Sequence, residues 1–225
     1  MKIVPIAHIE NDFPDKFGLP RQSAAAGSIR GRVVFEKDFA QPSAVKGLEG
    51  FDRLWLIWGF DGPEDRAFHA TVRPPKLGGN TRVGVFATRS PFRPNGLGLT
   101  CVKLDAVTTD SAGRPVLNVS GLDMKNGTAV YDIKPYLPYT DAYPDARSGF
   151  IPDTRTEPLS VTCPAEIMAR IPPDRRDTLL EVLRGDPRPG YKDAPGEYGM
   201  RFAGFNIRFT VSGHDLTVTD IQEEK

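Results

Sequence analysis

Glycine and proline are scattered along this chain rather than clustered, and they break it into short apolar runs bounded by turns. With 22 glycines and 21 prolines, about a fifth of the residues, few stretches are long enough for a helix. Proline removes a backbone donor and glycine costs backbone entropy inside a regular element. Short apolar runs at turn-bounded spacing specify an all-β barrel or sandwich. The predicted strands are 28–35, 53–60, 84–88, 100–107, 115–120, 129–135 and 205–212. Asp110-Ser-Ala-Gly113 and Asn126-Gly127 mark tight turns between them. One helix is predicted, over 172–184. It has prolines at its start, Leu179, Val182 and Leu183 at helical spacing, and Gly185 where a C-terminal cap belongs. A short helical turn is predicted at 164–169, and 140–158 reads as a loop or linker. Strands and helices do not alternate, so a Rossmann-type domain is excluded as the reading.

At 225 residues the chain has room for one large domain, or a large and a small one, at about 100–200 residues each. Lysine plus arginine and aspartate plus glutamate both total 29, which excludes a globally basic nucleic-acid coater. Two cysteines and three dispersed histidines argue against a disulfide scaffold and against a metal site. No apolar run approaches the ~20 residues of a membrane span, and the start lacks the apolar stretch of a signal peptide. A soluble protein of the cytoplasm is expected.

Charge is uneven along the chain. Residues 1–140 carry 18 basic and 14 acidic residues, and 141–225 carry 11 and 15. The interval between Asp65 and Asp105 contains Arg73, Lys76, Arg82, Arg89, Arg93 and Lys103 and no acid. It also carries Phe86 and Phe92, so it reads as an anion or nucleic-acid surface, or else as a solvated face balanced from elsewhere in the fold. Within it, the predicted strand 84–88 runs into a proline-stiffened loop bearing Arg89, Ser90, Arg93 and Asn95. Paired arginines suit carboxylate or phosphate. Gly96 and Gly98 are read as letting backbone amides approach a ligand. Further candidates are Lys16–Gln22, the turn Leu122-Asp-Met-Lys125, and Asp132 with Lys134. The last two share a strand face and suit an ordinary ion pair. Trp55 and Trp58 lie in a near-continuous apolar run, which reads as a core strand buried on both faces.

Taken together, KFGLPRQ (16–22), FDRLWLIW (51–58), TVRPPKLGGN (71–80), GVFATRSPFRPNGLGLT (84–100), DIKPYLPY (132–139) and DPRPGY (186–191) resemble the TsaA-like (YaeB-type) family, in its order and over most of the chain. The resemblance implies a single non-Rossmann β-barrel at 1–140, followed by a linker and a small α+β domain at 141–225. It implies S-adenosylmethionine-dependent methyltransferases of the TrmO type. These methylate N6 of N6-threonylcarbamoyladenosine beside the anticodon of threonine tRNA, and work without a metal as homodimers with the cofactor near the subunit interface.

The resemblance places the cofactor on Pro20, Arg21 and Gln22, on Arg89 and Leu99, and on Leu122, Asp123, Met124 and Lys125. Asp61 and Gly62 take a further contact position where relatives often carry His-Gln. Arg21 or Arg89 would hold the methionine carboxylate, and Asp123 the ribose or amino group. RNA is expected on Arg73, Lys76, Phe92, Arg93, Asn95 and Lys134, with Arg93 facing the carboxylate of the threonylcarbamoyl group. No histidine falls in these motifs, so the candidates for receiving the N6 proton are Asp132 and Tyr136. The alternatives are a methyltransferase for another RNA or small substrate, and a non-catalytic barrel that binds RNA or S-adenosylmethionine.

Overall fold

The computed structural model describes residues 2–19, 27, 29–60, 68–74, 80–150, 157–188 and 195–224. Six strands close a barrel: β1 (Ala7–Asn11), β2 (Arg30–Phe35), β3 (Arg53–Gly59), β6 (Leu97–Thr109), β7 (Pro115–Ser120) and β8 (Ala129–Pro135). The order around it is β1-β2-β7-β6-β3-β8, and every pairing is antiparallel. Alternation builds the interior. Leu54, Leu56 and Trp58 of β3 point inward, as do Thr100, Val102 and Leu104 of β6, while their neighbours face out. The barrel closes on a short ladder between β1 and β8, with Ala7 opposite Val130 and His8 opposite Ala129. Gly127 takes φ +77°, which the tight turn before β8 requires.

Two predicted strands change the most. The strand predicted at 84–88 is only β5 (Val83–Gly84), paired with β4 (Thr71–Val72). The chain then turns into a 3-10 helix over Val85–Ala87. The Thr88 hydroxyl donates to the Val85 carbonyl at 2.8 Å, so a local side-chain bond replaces the ladder. β6 runs longer than predicted, from Leu97 to Thr109.

Beyond the barrel lie α1 (Pro138–Asp141), β9 (Ser160–Thr162), α2 (Ala165–Met168) and α3 (Pro173–Arg184), then β10 (Gly196–Phe202), β11 (Phe205–Ser212) and β12 (Asp215–Glu223). The last three strands and β9 form one sheet, in which β9 runs parallel to β12. α3 buries Leu179, Val182 and Leu183, the stripe read from the sequence. The two sheets share a core. The rings of Phe13 and Phe202 lie 5.1 Å apart, and the Ala203 amide donates to the Asp12 carbonyl. Among the described residues no helix is long and apolar enough to cross a membrane.

Candidate functional site

A cavity of about 670 Å³ opens where β3 meets the start of β6, against residues of both the inward and the outward register of these strands. Its lining comes from five places: Lys16 and Leu19 of the N-terminal segment, Trp55 and Trp58 of β3, Arg89 and Arg93 of the proline-rich loop, Leu99 and Thr100 of β6, and the turn Asp123–Lys125.

The two tryptophans correct the sequence reading. β3 is not buried on both faces. Trp58 is nearly buried inside the barrel, and its indole N–H donates to Thr100 Oγ1 at 2.9 Å. Thr100 Oγ1 in turn donates to Asp123 Oδ1 at 2.7 Å. This relay fixes the Asp123 carboxylate at the cavity wall. Its polar middle lies within the barrel, where an unmade bond would cost about 1–3 kcal/mol. Trp55 takes the outward register and is half-buried. Its indole N–H donates to Asp141 Oδ2 at 3.0 Å, and its ring packs 5.6 Å from that of Tyr136. Gly98 lines the cavity, and its missing side chain also makes room for the tryptophan, since a Cβ there would lie 2.4 Å from Trp58 Cε2.

The Asp123 turn is shaped from behind by β1. Asn11 Nδ2 donates to the Met124 carbonyl at 2.8 Å, and the Asn126 amide donates to the Phe13 carbonyl at 2.7 Å. Leu122 and Met124 are buried, which anchors the turn and presents Asp123 and Lys125 between and after them. The arginine loop is braced internally. Arg93 donates to the Thr88 carbonyl at 2.7 Å, the Ser90 amide donates to Thr88 Oγ1, and the Phe92 amide donates to Ser90 Oγ.

Of the predicted cofactor residues, Arg89, Leu99, Asp123, Met124 and Lys125 line the cavity, while the fully buried Leu122 does not. Pro20, Arg21, Gln22, Asp61, Gly62 and Lys76 fall outside the described residues. Of the predicted RNA residues, Arg93 lines the cavity. Arg73, Phe92 and Asn95 are exposed but lie outside its lining. Lys134 pairs with Asp132 at 3.2 Å on the barrel surface, the ordinary ion pair that their spacing suggested. Tyr136 reaches the cavity only through Trp55. Lys16 and Leu19 come from the candidate segment 16–22 and line the cavity, whereas Thr100 was missed. Thr100 had a signal: a lone polar residue in the inward register of an apolar strand needs a buried partner.

The cavity wall is electropositive. Lys16, Arg89, Arg93 and Lys125 line it against one carboxylate, Asp123, among the described residues. Burial pushes the Cys101 thiol at its edge up, which favours the protonated form. The Leu137 amide, and then the Trp55 indole, hold Asp141 below the usual carboxylate range. No cluster of three metal-ligating side chains occurs among the described residues. A volume in the range of small-molecule sites, aromatic and leucine walls, one fixed carboxylate and guanidinium groups suit a zwitterionic nucleoside ligand such as S-adenosylmethionine.

Residues 8–142 match the family described as tRNA-methyltransferase O N-terminal domain, and residues 156–224 match the TrmO C-terminal domain. The chain is 36% identical over 218 residues, 92% of each chain, to the tRNA (adenine(37)-N6)-methyltransferase of Escherichia coli. It is 37% identical over 223 residues to a Pseudomonas aeruginosa relative whose name includes S-adenosylmethionine-dependent methyltransferase, covering 95% of this chain and 94% of that one. A crystal structure of TrmO from Pseudomonas aeruginosa superposes with a TM-score of 0.75 at 30% identity, over 98% of both chains.

Proposed function

The chain belongs to the TrmO family, and on that premise we propose that it is an S-adenosylmethionine-dependent methyltransferase acting on N6 of the adenine at position 37 of tRNA. We read the acceptor as N6-threonylcarbamoyladenosine and its carrier as threonine tRNA in the cytoplasm. One observation carries this reading. Arg89, Leu99 and Asp123–Lys125, far apart in sequence, meet in a single cavity. Leu19 lines the same cavity and directly precedes Pro20, Arg21 and Gln22 in the chain. Residues 1–140 are taken as the cofactor-binding barrel and 141–225 as linker and small domain.

The donor supplies a methyl group already activated on a sulfonium. The chain's part is to bind, orient and exclude water, and such positioning is worth on the order of 7–11 kcal/mol. Asp123, fixed by Thr100 and Trp58, holds a ribose hydroxyl or the amino group. Arg21 or Arg89 holds the carboxylate, and the backbone at Leu122–Lys125 reads the adenine edge. Arg93 faces the carboxylate of the acceptor's threonylcarbamoyl group. Of the two candidates for the N6 proton, Tyr136 stands beside a cavity-lining residue, whereas Asp132 is engaged by Lys134. The chain is read as a homodimer with the cofactor near the subunit interface, as the family resemblance implies.

Nucleoside mass spectrometry of tRNA from cells lacking the activity, treated with protein and S-adenosylmethionine, is the test. One added methyl on N6-threonylcarbamoyladenosine is expected. A methyl on another nucleoside would leave the reaction class and remove the substrate. No methyl despite cofactor binding would make the chain a binding barrel.

A further inference from the structure

Two phenylalanines stand exposed at the end of the molecule that carries the cavity. Phe68 is 55% exposed and Phe86 is 70% exposed. Their ring centroids are 6.3 Å apart and their planes differ by 26°, so they offer near-parallel faces. The Arg93 guanidinium carbon lies 5.8 Å from the Phe86 centroid, and Arg93 itself lines the cavity. The rings therefore begin where the cavity ends.

Exposed apolar rings gain by being covered. What covers them is indicated by the charge around them. Phe68 and Phe86 lie within the acid-free interval between Asp65 and Asp105. Arg73, Arg82 and Arg89 are exposed in the same interval, with no carboxylate there to repel a phosphate. Arg82 donates to Thr71 Oγ1 at 3.0 Å, which holds it on the β4–β5 hairpin next to the 3-10 turn that carries Phe86. Flat aromatic faces interleaved with arginines suit the unstacked bases of single-stranded nucleic acid. Each base has a face to stack and a phosphate to pair.

We propose that Phe68 and Phe86 form a stacking platform for unpaired RNA bases flanking the adenine that enters the cavity. This rests on the RNA methyltransferase reading above and adds to it a second contact surface. The platform binds loop nucleotides and does not bind duplex. It acts on RNA affinity and not on cofactor affinity.

The test uses the full chain with Phe68→Ala, Phe86→Ala and Phe86→Trp. The probes are a synthetic anticodon stem-loop RNA and a blunt RNA duplex of equal length. Each alanine variant is expected to weaken stem-loop binding about tenfold. Duplex binding, S-adenosylmethionine binding by calorimetry and the mass in solution should stay unchanged. Phe86→Trp should restore affinity, and its fluorescence should be quenched by the stem-loop. Unchanged stem-loop affinity in both alanine variants overturns the proposal. So does a fall in solution mass with RNA binding intact, which would make the rings a contact between copies of the chain. If Phe86→Ala loses cofactor binding through misfolding, Phe68→Ala and the quenching of Phe86→Trp decide. The two readings fail separately. A wild type that methylates with unchanged RNA binding in the variants loses only the platform. A wild type that methylates no RNA, while the variants still weaken the stem-loop, loses only the activity.

Discussion

At the scale of single residues, the barrel interior is used for polar positioning as well as packing. Thr100 both accepts from Trp58 and donates to Asp123, so valine in its place breaks two bonds without changing shape much. Thr100→Val is expected to weaken S-adenosylmethionine binding about tenfold and Thr100→Ser to leave it near wild type, as read by calorimetry. Equal affinity in valine and wild type would remove the relay from the argument. Gly98→Ala pushes a Cβ into a tryptophan that Thr100 already holds, and overpacking of this kind costs about 1–3 kcal/mol in denaturant unfolding. Asp141 gives a pH signature. Its folded pKa is held below the unfolded value of about 3.9, so it stabilises fully above that value and loses the contribution as pH falls through the folded one. Wild type should melt above Asp141→Ala at pH 7, and the gap should close on acidification below about pH 4.

At the scale of elements, the shared core ties the C-terminal sheet to the barrel. Phe202 of β10 meets Phe13 just after β1, and Met200 packs within 3.0 Å of the Cβ position of Gly18. Phe202→Ala should cost about 3–5 kcal/mol and lower the melting of both sheets together, in one calorimetric transition. Two resolved transitions would show the sheets to be independent. This coupling also marks what was legible in the sequence. β7, β8 and β11 match their predicted bounds, because each has turn residues at both ends or an uninterrupted alternation. β1, β4, β9, β10 and β12 went unread. β1 and β9 are short, and Gly196 and Gly199 dilute the β10 pattern. In β12 polar and charged residues fill the outward positions, leaving Leu216, Val218 and Ile221 as isolated apolar points across a bulge. At the site, the arginine loop and the Asp123 turn carried their own signals. The Trp58–Thr100–Asp123 relay depends on β3, β6 and the turn after β7 being neighbours in space, and no local pattern contains that.

At the scale of the whole molecule, a net charge of zero hides an uneven distribution of charge along the chain. RNA affinity should therefore fall steeply with salt even though the protein is neutral, since the slope counts local phosphate contacts, about 0.7 per single-strand phosphate. Arg73→Ala and Arg82→Ala should each reduce the slope of log Kd against log salt by about that amount, in titrations from low to physiological salt. An unchanged slope in both would move the phosphates elsewhere. The barrel seam has a consequence in time. Its short ladder joins residues 7 and 8 to residues 129 and 130, and the next bonds along it, Ile9 to Thr128 and Gly127 to Ile9, frame the turn that presents Asp123. Closing so long a loop is entropically late in folding, because the entropy cost precedes any contact that rewards it. A chain emerging from the ribosome can thus hold β1, β2, β3, β6 and β7 in pairs yet have no closed ligand site until β8 arrives and joins β3 to β1. In refolding, cofactor binding should appear only with the slowest phase, after most strand signal has returned.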